Sequence, residues 1–503
     1  MSPSDRELVD ATVAADGTER TVRREAEETS GVEERPRWTL DLVAAVACAL
    51  VGLRAGLAPL SDNSFFTHLA TGRLILADGS VPTTDPYSFM APGESWVVQS
   101  WLASVAYASA EKAAGLFGIR LLVGATSAVL GALVWRLTRP AGLLVGRVAG
   151  ASIGLLVGAA VWSERPLLFG LVFLAVTLLV AEGGLNPRWM LPVMWLWANT
   201  HGSFVFGGLV LVLLLVGRFM DREPVDVEMR ALAWTVGGLV AAIVNPLGIR
   251  LLLFPLGLLE RREAFSVIVE WQAPSWEPWN QKLFAAQLVL TLLVLLLRNR
   301  RWQWILPVVV FGIAAITSVR NIPQASLIMI PALAHALAGL GSMDGSRTTR
   351  VARPAVAVLA AVGILMVVAA RNGPQTDEDL YPVEAVSWMR ENGHLDSSSR
   401  LVSRDFVGNY LHARFGPDEV STYMDDRVDM HPIDLIEDYT ALLNDPDADF
   451  AAILAEARPT AVLWKVDSAL GSWLVESPAW RIVFETADAD EEWLVAVPSD
   501  REV

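Results

Sequence analysis

The chain has 503 residues, is 53% hydrophobic and carries a formal net charge of −16. Repeated apolar runs of about 18 residues without charge exclude an ordinary soluble globular protein and point to a polytopic α-helical membrane protein. The charge is uneven: residues 374–503 hold 28 acids against 9 Lys plus Arg, a balance of −19, which leaves the remaining 373 residues at +3. An acidic tail argues against a nucleic-acid partner, which needs a basic face.

In chain order, residues 1–37 are charged and lack an apolar h-region, which predicts an uncleaved cytoplasmic tail without stable structure. Apolar runs follow at about 39–58, 116–137, 142–161, 166–182, 188–199, 203–219, 230–245, 283–298, 302–318, 322–341 and 354–371. About eleven spans are therefore expected. The segment 188–219 reads either as a helical hairpin or as one broken helix, and 246–260 as a re-entrant piece. The only cysteine, Cys48, lies in the first run, so no disulfide forms within one chain.

Arginines predict the orientation. Arg20, Arg23, Arg24, Arg35 and Arg37 precede the first run, and Arg136, Arg139 and Arg147 separate the second and third. Arg188, then Arg218, Arg222 and Arg230, then Arg298, Arg300 and Arg301, then Arg347, Arg350 and Arg353 fall in later loops. With eleven spans all of them share one side, the cytoplasm. The first loop and residues 374–503 then both lie outside, in a multi-pass protein of the cell membrane.

The opposite loop ends hold unusual residues. The first loop, 61–96, carries Asp62, His68 and Asp85 among Phe65, Phe66, Tyr87, Phe89 and Trp96; "SERP" spans 163–166, "NTHGS" 199–203, "EWQAP" 270–274 and "RNIP" 320–323. Ionisable groups at membrane depth are costly unless they line a site, so their convergence predicts function. Plainer readings stand beside this one. Asn245-Pro246 and Arg320-Asn321 also suit helix caps and turns, His201 a packed interfacial imidazole, and Glu164-Arg165 a local ion pair. Trp271, Trp276 and Trp279 fit an interfacial aromatic belt.

Within the first loop, "SFFTHLATGRLILA" (64–77) has helical spacing and reads as a helix lying in the membrane interface. "DGSVPTTDPYS" (78–88) reads as turn. "SWVVQSWLASVAYASAEKAAG" (95–115) reads as a second interfacial helix.

The tail predicts a small α/β domain: helices at 382–391, 432–443 and 448–457, strands at 400–403, 421–424 and 460–465, and a closing strand pair in "WRIVFET" and "EEWLVAVP". Its most polar point is "DDR" at 425–427 with Asp429 and His431. That cluster reads either as a loop salt-bridge network or as a surface that covers the membrane site or binds an acceptor glycan.

The arrangement resembles the GT-C superfamily of integral membrane glycosyltransferases. Residues 62–102 are similar to the first loop of a group of bacterial multi-pass membrane proteins, through Asp62, His68-Leu69, Thr71-Gly72, Pro82, Asp85-Pro86, Ser88 and Trp101-Leu102. "NTHGSF", "RNIP" and "YMDDRVDMHP" (423–432) extend the likeness over most of 40–500. Ser64 departs from it, since a second acid of an Asp-x-Asp is expected there, and Phe66 and Thr67 replace paired tryptophans.

The resemblance implies a GT-C-like transmembrane domain at 38–373 with an extracytoplasmic α/β domain at 374–503. It also implies transfer of a sugar from a polyprenyl-phosphate donor to a glycan, lipid or protein acceptor of the cell envelope. In that chemistry Asp62, or secondly Asp85, is the base. Arg320 binds phosphate, and Arg165, His68, His201, Asn199 and Asn321 bind substrate. A divalent cation (Mg or Mn) on Asp62 and Glu164 is a further expectation. The competing functions are a lipid-linked-glycan flippase, disfavoured by the lack of an internal repeat, and a non-catalytic scaffold of envelope assembly.

Overall fold

The computed structural model describes residues 39–261, 269–338, 353–486 and 492–500. The stretch 1–37 and the arginines at 20, 23, 24, 35, 37, 347 and 350 lie outside the described residues.

The architecture is mostly helical. Helix α1 (Leu40–Gly56) is followed by α2 (Asn63–Asp78) and the long α3 (Trp101–Leu137). Then come α4 (Leu144–Ala159), α5 (Leu167–Ala181), α6 (Met190–Thr200), α7 (Phe204–Met220), α8 (Asp226–Ala241) and α9 (Ile249–Glu260). The helical part closes with α10 (Trp279–Val294), α11 (Trp302–Thr317), α12 (Ile322–Leu337) and α13 (Arg353–Asn372). Among the described residues three helical stretches, Trp101–Ala141, Trp279–Asn299 and Pro354–Asn372, are long and apolar enough to cross a membrane. Each of the other eight apolar runs contains a helix, of 11 to 17 residues.

The arginine-bearing loops gather at one end of the bundle. There Arg147 pairs with Asp41 and Arg136 donates to the Gly184 carbonyl at 3.0 Å. His335 bonds Glu182 at 2.6 Å, Arg298 reaches the Ala336 carbonyl at 3.2 Å, and Arg301 pairs with Glu223 at 2.8 Å.

The sequence separates a helix ending at 115 from the run 116–137, and the backbone of α3 divides there: Ala114 and Gly115 leave helical geometry, so α3 is two helices joined at a break, the first beginning at Trp101 rather than at 95; Gly115 has φ of +63°, a conformation that favours glycine. Helix α2 forms as expected but does not lie bare on an interface: Phe65 is 0% and Phe66 6% exposed. Phe65 packs edge-on to Tyr107 of α3, and Phe66 to Tyr381 and Tyr410 from the tail. Aromatics that resemble lipid anchors are therefore the joint between bundle and tail. Gly72 permits this approach, since a Cβ there would collide with the Ser104 carbonyl of α3.

The tail consists of α14 (Val383–Glu391), β1 (Arg400–Ser403), α15 (Asp405–Phe415), β2 (Ser421–Thr422), α16 (Ile433–Asn444), α17 (Phe450–Ala457), β3 (Ala461–Lys465), α18 (Ala469–Glu476), β4 (Trp480–Glu485) and β5 (Trp493–Pro498). Helices α15 and α18 are not anticipated by the sequence pattern. The strands form one mixed sheet in the order β2-β1-β3-β5-β4. Strand β1 runs parallel to β2 and β3, and β5 antiparallel to β3 and β4. The first loop adds to this sheet: Phe89 donates to Thr422 and Thr422 donates to Tyr87 at 3.1–3.2 Å. Helix α2 is thus held between α3 and α15.

Candidate active site

Asp62 occupies the N-cap of α2, where its carboxylate accepts from Ser64 N–H at 3.1 Å. Its position is set by Glu164, whose Oε1 accepts the backbone N–H groups of Ser61 and Asp62 at 2.6 and 2.7 Å. The next residue, Arg165, donates to Asp62 Oδ2 and to Glu270. Glu164 and Arg165 thus turn to different partners rather than to each other. Burial raises the Glu164 pKa against those amide bonds. Burial opposes the Arg165 charge, but Asp62 and Glu270 outweigh it and keep the guanidinium firmly protonated.

Arg165 opens onto a cavity of about 550 Å³. The first loop contributes Asn63, Ser64, Thr67, His68 and Trp96, and the later helix ends contribute His201, Glu270, Trp271 and Arg320. The tail closes it with Arg404, Asp405, Asp426, Arg427 and Asp429. Arg320 sits in the single turn before α12, its guanidinium 5.0 Å from the Trp271 ring centroid. Burial lowers its pKa, while Glu270 and Asp429 favour the charged form. Trp271, expected in an aromatic belt, is therefore a wall of the cavity, whereas Trp279 is 59% exposed.

Two histidines face the same space. His68 bonds Ser104 through Nδ1 at 3.2 Å, and burial plus Arg165 push its pKa down to about 4. His201 occupies the break between α6 and α7, which are two helices rather than one. Its Nδ1 accepts the Ser203 backbone N–H at 3.1 Å, which assigns the ring proton to Nε2. Burial, reinforced by Arg320, His68 and Arg165, holds its pKa well below the usual range. Both imidazoles are neutral donors beside two guanidinium groups.

Other expected site residues go elsewhere. Asp85 does not line the cavity: it accepts from Tyr87 and Ser88 N–H at 3.0 Å and from Arg427 at 2.6 Å. Both of its oxygens are thus engaged inside the protein, away from the cavity. Asn199 is fully buried, accepting from Trp101 Nε1 at 2.9 Å and donating to the Trp195 carbonyl at 2.7 Å. Asn321 donates to the Ala314 carbonyl at 3.0 Å and ties α11 to α12. Asn245 likewise builds a turn, donating to the Ala242 carbonyl and accepting from Leu247 N–H, both at 2.6 Å.

Of the two carboxylates expected to hold a cation, Asp62 faces the Arg165 guanidinium and the Oε1 of Glu164 accepts two amides. Among the described residues no three His, Cys, Asp or Glu side chains come together as metal ligands.

The "DDR" cluster divides. Asp425 is buried and bonds Arg427 at 2.6–2.9 Å and His431 at 3.1 Å. Arg427 lies over Tyr87 and Trp96, 4.8 and 4.5 Å from their centroids, and links Asp425 to Asp85 of the first loop. That half is a structural weld. Asp426 points the other way, into the cavity, where Thr67 Oγ1 lies 3.2 Å away and Ser64 also bonds it. Single-residue reasoning cannot separate two adjacent acids with opposite roles; the backbone path between β2 and α16 does so.

No family model matches the sequence, and no curated protein matches it. The fold is similar to that of a solved mycobacterial arabinofuranosyltransferase, AftD, with a TM-score of 0.48 and 14% identity over 92% of this chain and 42% of that one. The chain therefore spans less than half the length of that structure.

Proposed function

We propose that this protein is a GT-C-type membrane glycosyltransferase that moves a sugar from a polyprenyl-phosphate donor to an acceptor glycan, lipid or protein. The observation that carries the reading is the cavity in which Arg165, Arg320 and the neutral His68 and His201 converge beside carboxylates and Trp271. Guanidinium groups bind phosphate oxygens through paired N–H donors, and imidazole N–H groups add donors without adding charge. Indole rings suit the apolar face of a sugar.

The first-loop resemblance points to the same chemistry. By the positive-inside tendency the arginine-rich end of the bundle is cytoplasmic, so the cavity and the tail face outward in a multi-pass cell-membrane protein.

In transfer, the acceptor hydroxyl oxygen attacks the anomeric carbon. The bond from that carbon to the phosphate oxygen breaks with its electron pair, and the acceptor proton passes to a carboxylate. Arg320 receives the charge that develops on the leaving phosphate. Asp62 holds Arg165 in place through their ion pair.

The test uses the full chain in lipid nanodiscs with polyprenyl-phosphoryl pentoses and hexoses and oligosaccharide acceptors. Binding of polyprenyl phosphate and its release from at least one donor are expected. A protein that neither binds polyprenyl phosphate nor releases it is not such a transferase; one that carries an intact lipid-linked glycan across the bilayer without cleaving it is a flippase.

A further inference from the structure

Among the acids near the cavity, most are already committed. Asp62 and Glu270 are held by Arg165. Asp85 and Asp425 are held by Arg427. Asp405 accepts the Tyr439 hydroxyl at 2.8 Å. Asp426 is different: among the described residues its carboxyl is met by hydroxyl groups, those of Ser64 and Thr67 on α2, and it lines the cavity. Thr67 Oγ1 also lies 2.7 Å from Asn409 Oδ1, a closer acceptor. One hydroxyl has one proton, so when Thr67 gives it to Asn409, Asp426 keeps its own contact by donating from a protonated carboxyl. The geometry thus accommodates Asp426 with and without a proton.

Resting on the glycosyl-transfer reading, we infer that Asp426 of the tail, rather than an acid of the first loop, is the general base that removes the proton from the acceptor hydroxyl. The tail is then half of the active site and not a cover for it. The proton moves from the acceptor oxygen to the Asp426 carboxylate as that oxygen bonds the anomeric carbon, and it leaves to water after the product departs. Ser64 stands where the first-loop pattern places a second acid, and it bonds the acid that reaches this space from the tail. The charged groups that act on Asp426 are Asp425 and Asp405, which disfavour its ionisation, and Arg165, which favours it. Burial dominates and raises its pKa to about 7, where a base retains proton affinity while remaining available.

Two measurements on the full chain in nanodiscs test this. In the first, the rate of polyprenyl-phosphate release is followed against pH in the presence of acceptor. The wild-type rate should rise through about pH 7. Asp426→Asn should lower it at least about 100-fold while binding polyprenyl phosphate within about twofold of wild type. Asp426→Glu should retain part of the activity with a displaced pH midpoint. In the second, thermal unfolding compares wild type with Asp426→Asn. An acid whose pKa is raised in the fold contributes stability below its ordinary pKa and loses it as pH rises through the folded value. The Asn variant should therefore gain on wild type by a few degrees in Tm between about pH 4 and pH 8.

More than a tenth of the wild-type rate in Asp426→Asn, or an Asp426→Glu midpoint identical to wild type, overturns the role of Asp426. A wild-type protein that binds polyprenyl phosphate but releases none from any donor overturns the transfer reaction on which the role rests. Failure of the wild type to bind polyprenyl phosphate overturns instead the function on which the role rests, and a Tm difference independent of pH overturns the raised pKa alone.

Discussion

Glu164 Oε1 accepts the backbone N–H of Asp62 at 2.7 Å, so a loop between α4 and α5 fixes the first turn of α2. The Ser61 amide shares the same oxygen. Glu164→Ala should leave two amides without that acceptor and cost about 1–3 kcal/mol. Glu164→Gln keeps a carbonyl oxygen and should cost less. Thermal unfolding in detergent checks the order; equal losses in the two variants would deny the carboxyl this role.

Asp62 and Arg165 form the ion pair that sets the cavity edge. Asp62→Asn should abolish sugar transfer without lowering membrane expression, because the neutral amide frees Arg165 to turn wholly to Glu270. The check is release of polyprenyl phosphate at matched protein amounts. Normal release by the variant would remove Asp62 from the machinery.

Arg320 faces Trp271 and lines the cavity. Arg320→Ala should weaken binding of polyprenyl phosphate by about 2 kcal/mol or more. Arg320→Lys should recover only part of it, since an ammonium lacks the planar fork and stacks less well on indole. A binding titration on nanodiscs with and without the lipid phosphate reads both. Full affinity in Arg320→Lys would mean that charge alone suffices.

Arg427 joins Asp85 of the first loop to Asp425 of the tail in a buried triad. Arg427→Ala leaves two buried carboxylates unpaired, and a loss of about 3–5 kcal/mol is expected. The double variant Asp85→Asn with Asp425→Asn, in the Arg427→Ala background, should recover part of it. Limited proteolysis across residues 80–100 would report separation of the loop from the tail.

Much of the helical plan was legible in the sequence because apolar run length and arginine placement are local and additive. Each of the eleven runs holds a helix, and the arginine loops meet at one end. Most tail elements followed from periodicity. Helix α15 did not, because "DFVGNYLHARF" buries Val407, Gly408, Asn409, Tyr410, Leu411, His412 and Ala413 consecutively and shows no polar face.

Part of the candidate site's lining was legible in the sequence. His68, His201, Arg165 and Arg320 do line one cavity, and Asp62 sits at its edge, paired to Arg165. Asp85, Asn199 and Asn321 have the same chemistry in the sequence but spend their hydrogen bonds inside the protein. A residue's type states which bonds it can make; only its neighbours determine which remain free.

By itself, then, the sequence determined a multi-helix bundle, an acidic α/β tail and a stock of unusual polar residues at one set of loop ends. The tertiary structure alone decided that the tail docks on α2, that Arg427 welds the first loop to it, and that Asp426 rather than Asp85 reaches the cavity. The physical reason is separation along the chain. Apolar runs and alternation act between near neighbours and can be read in order, whereas the contact from Thr67 to Asp426 spans 359 positions and exists only once both elements are packed.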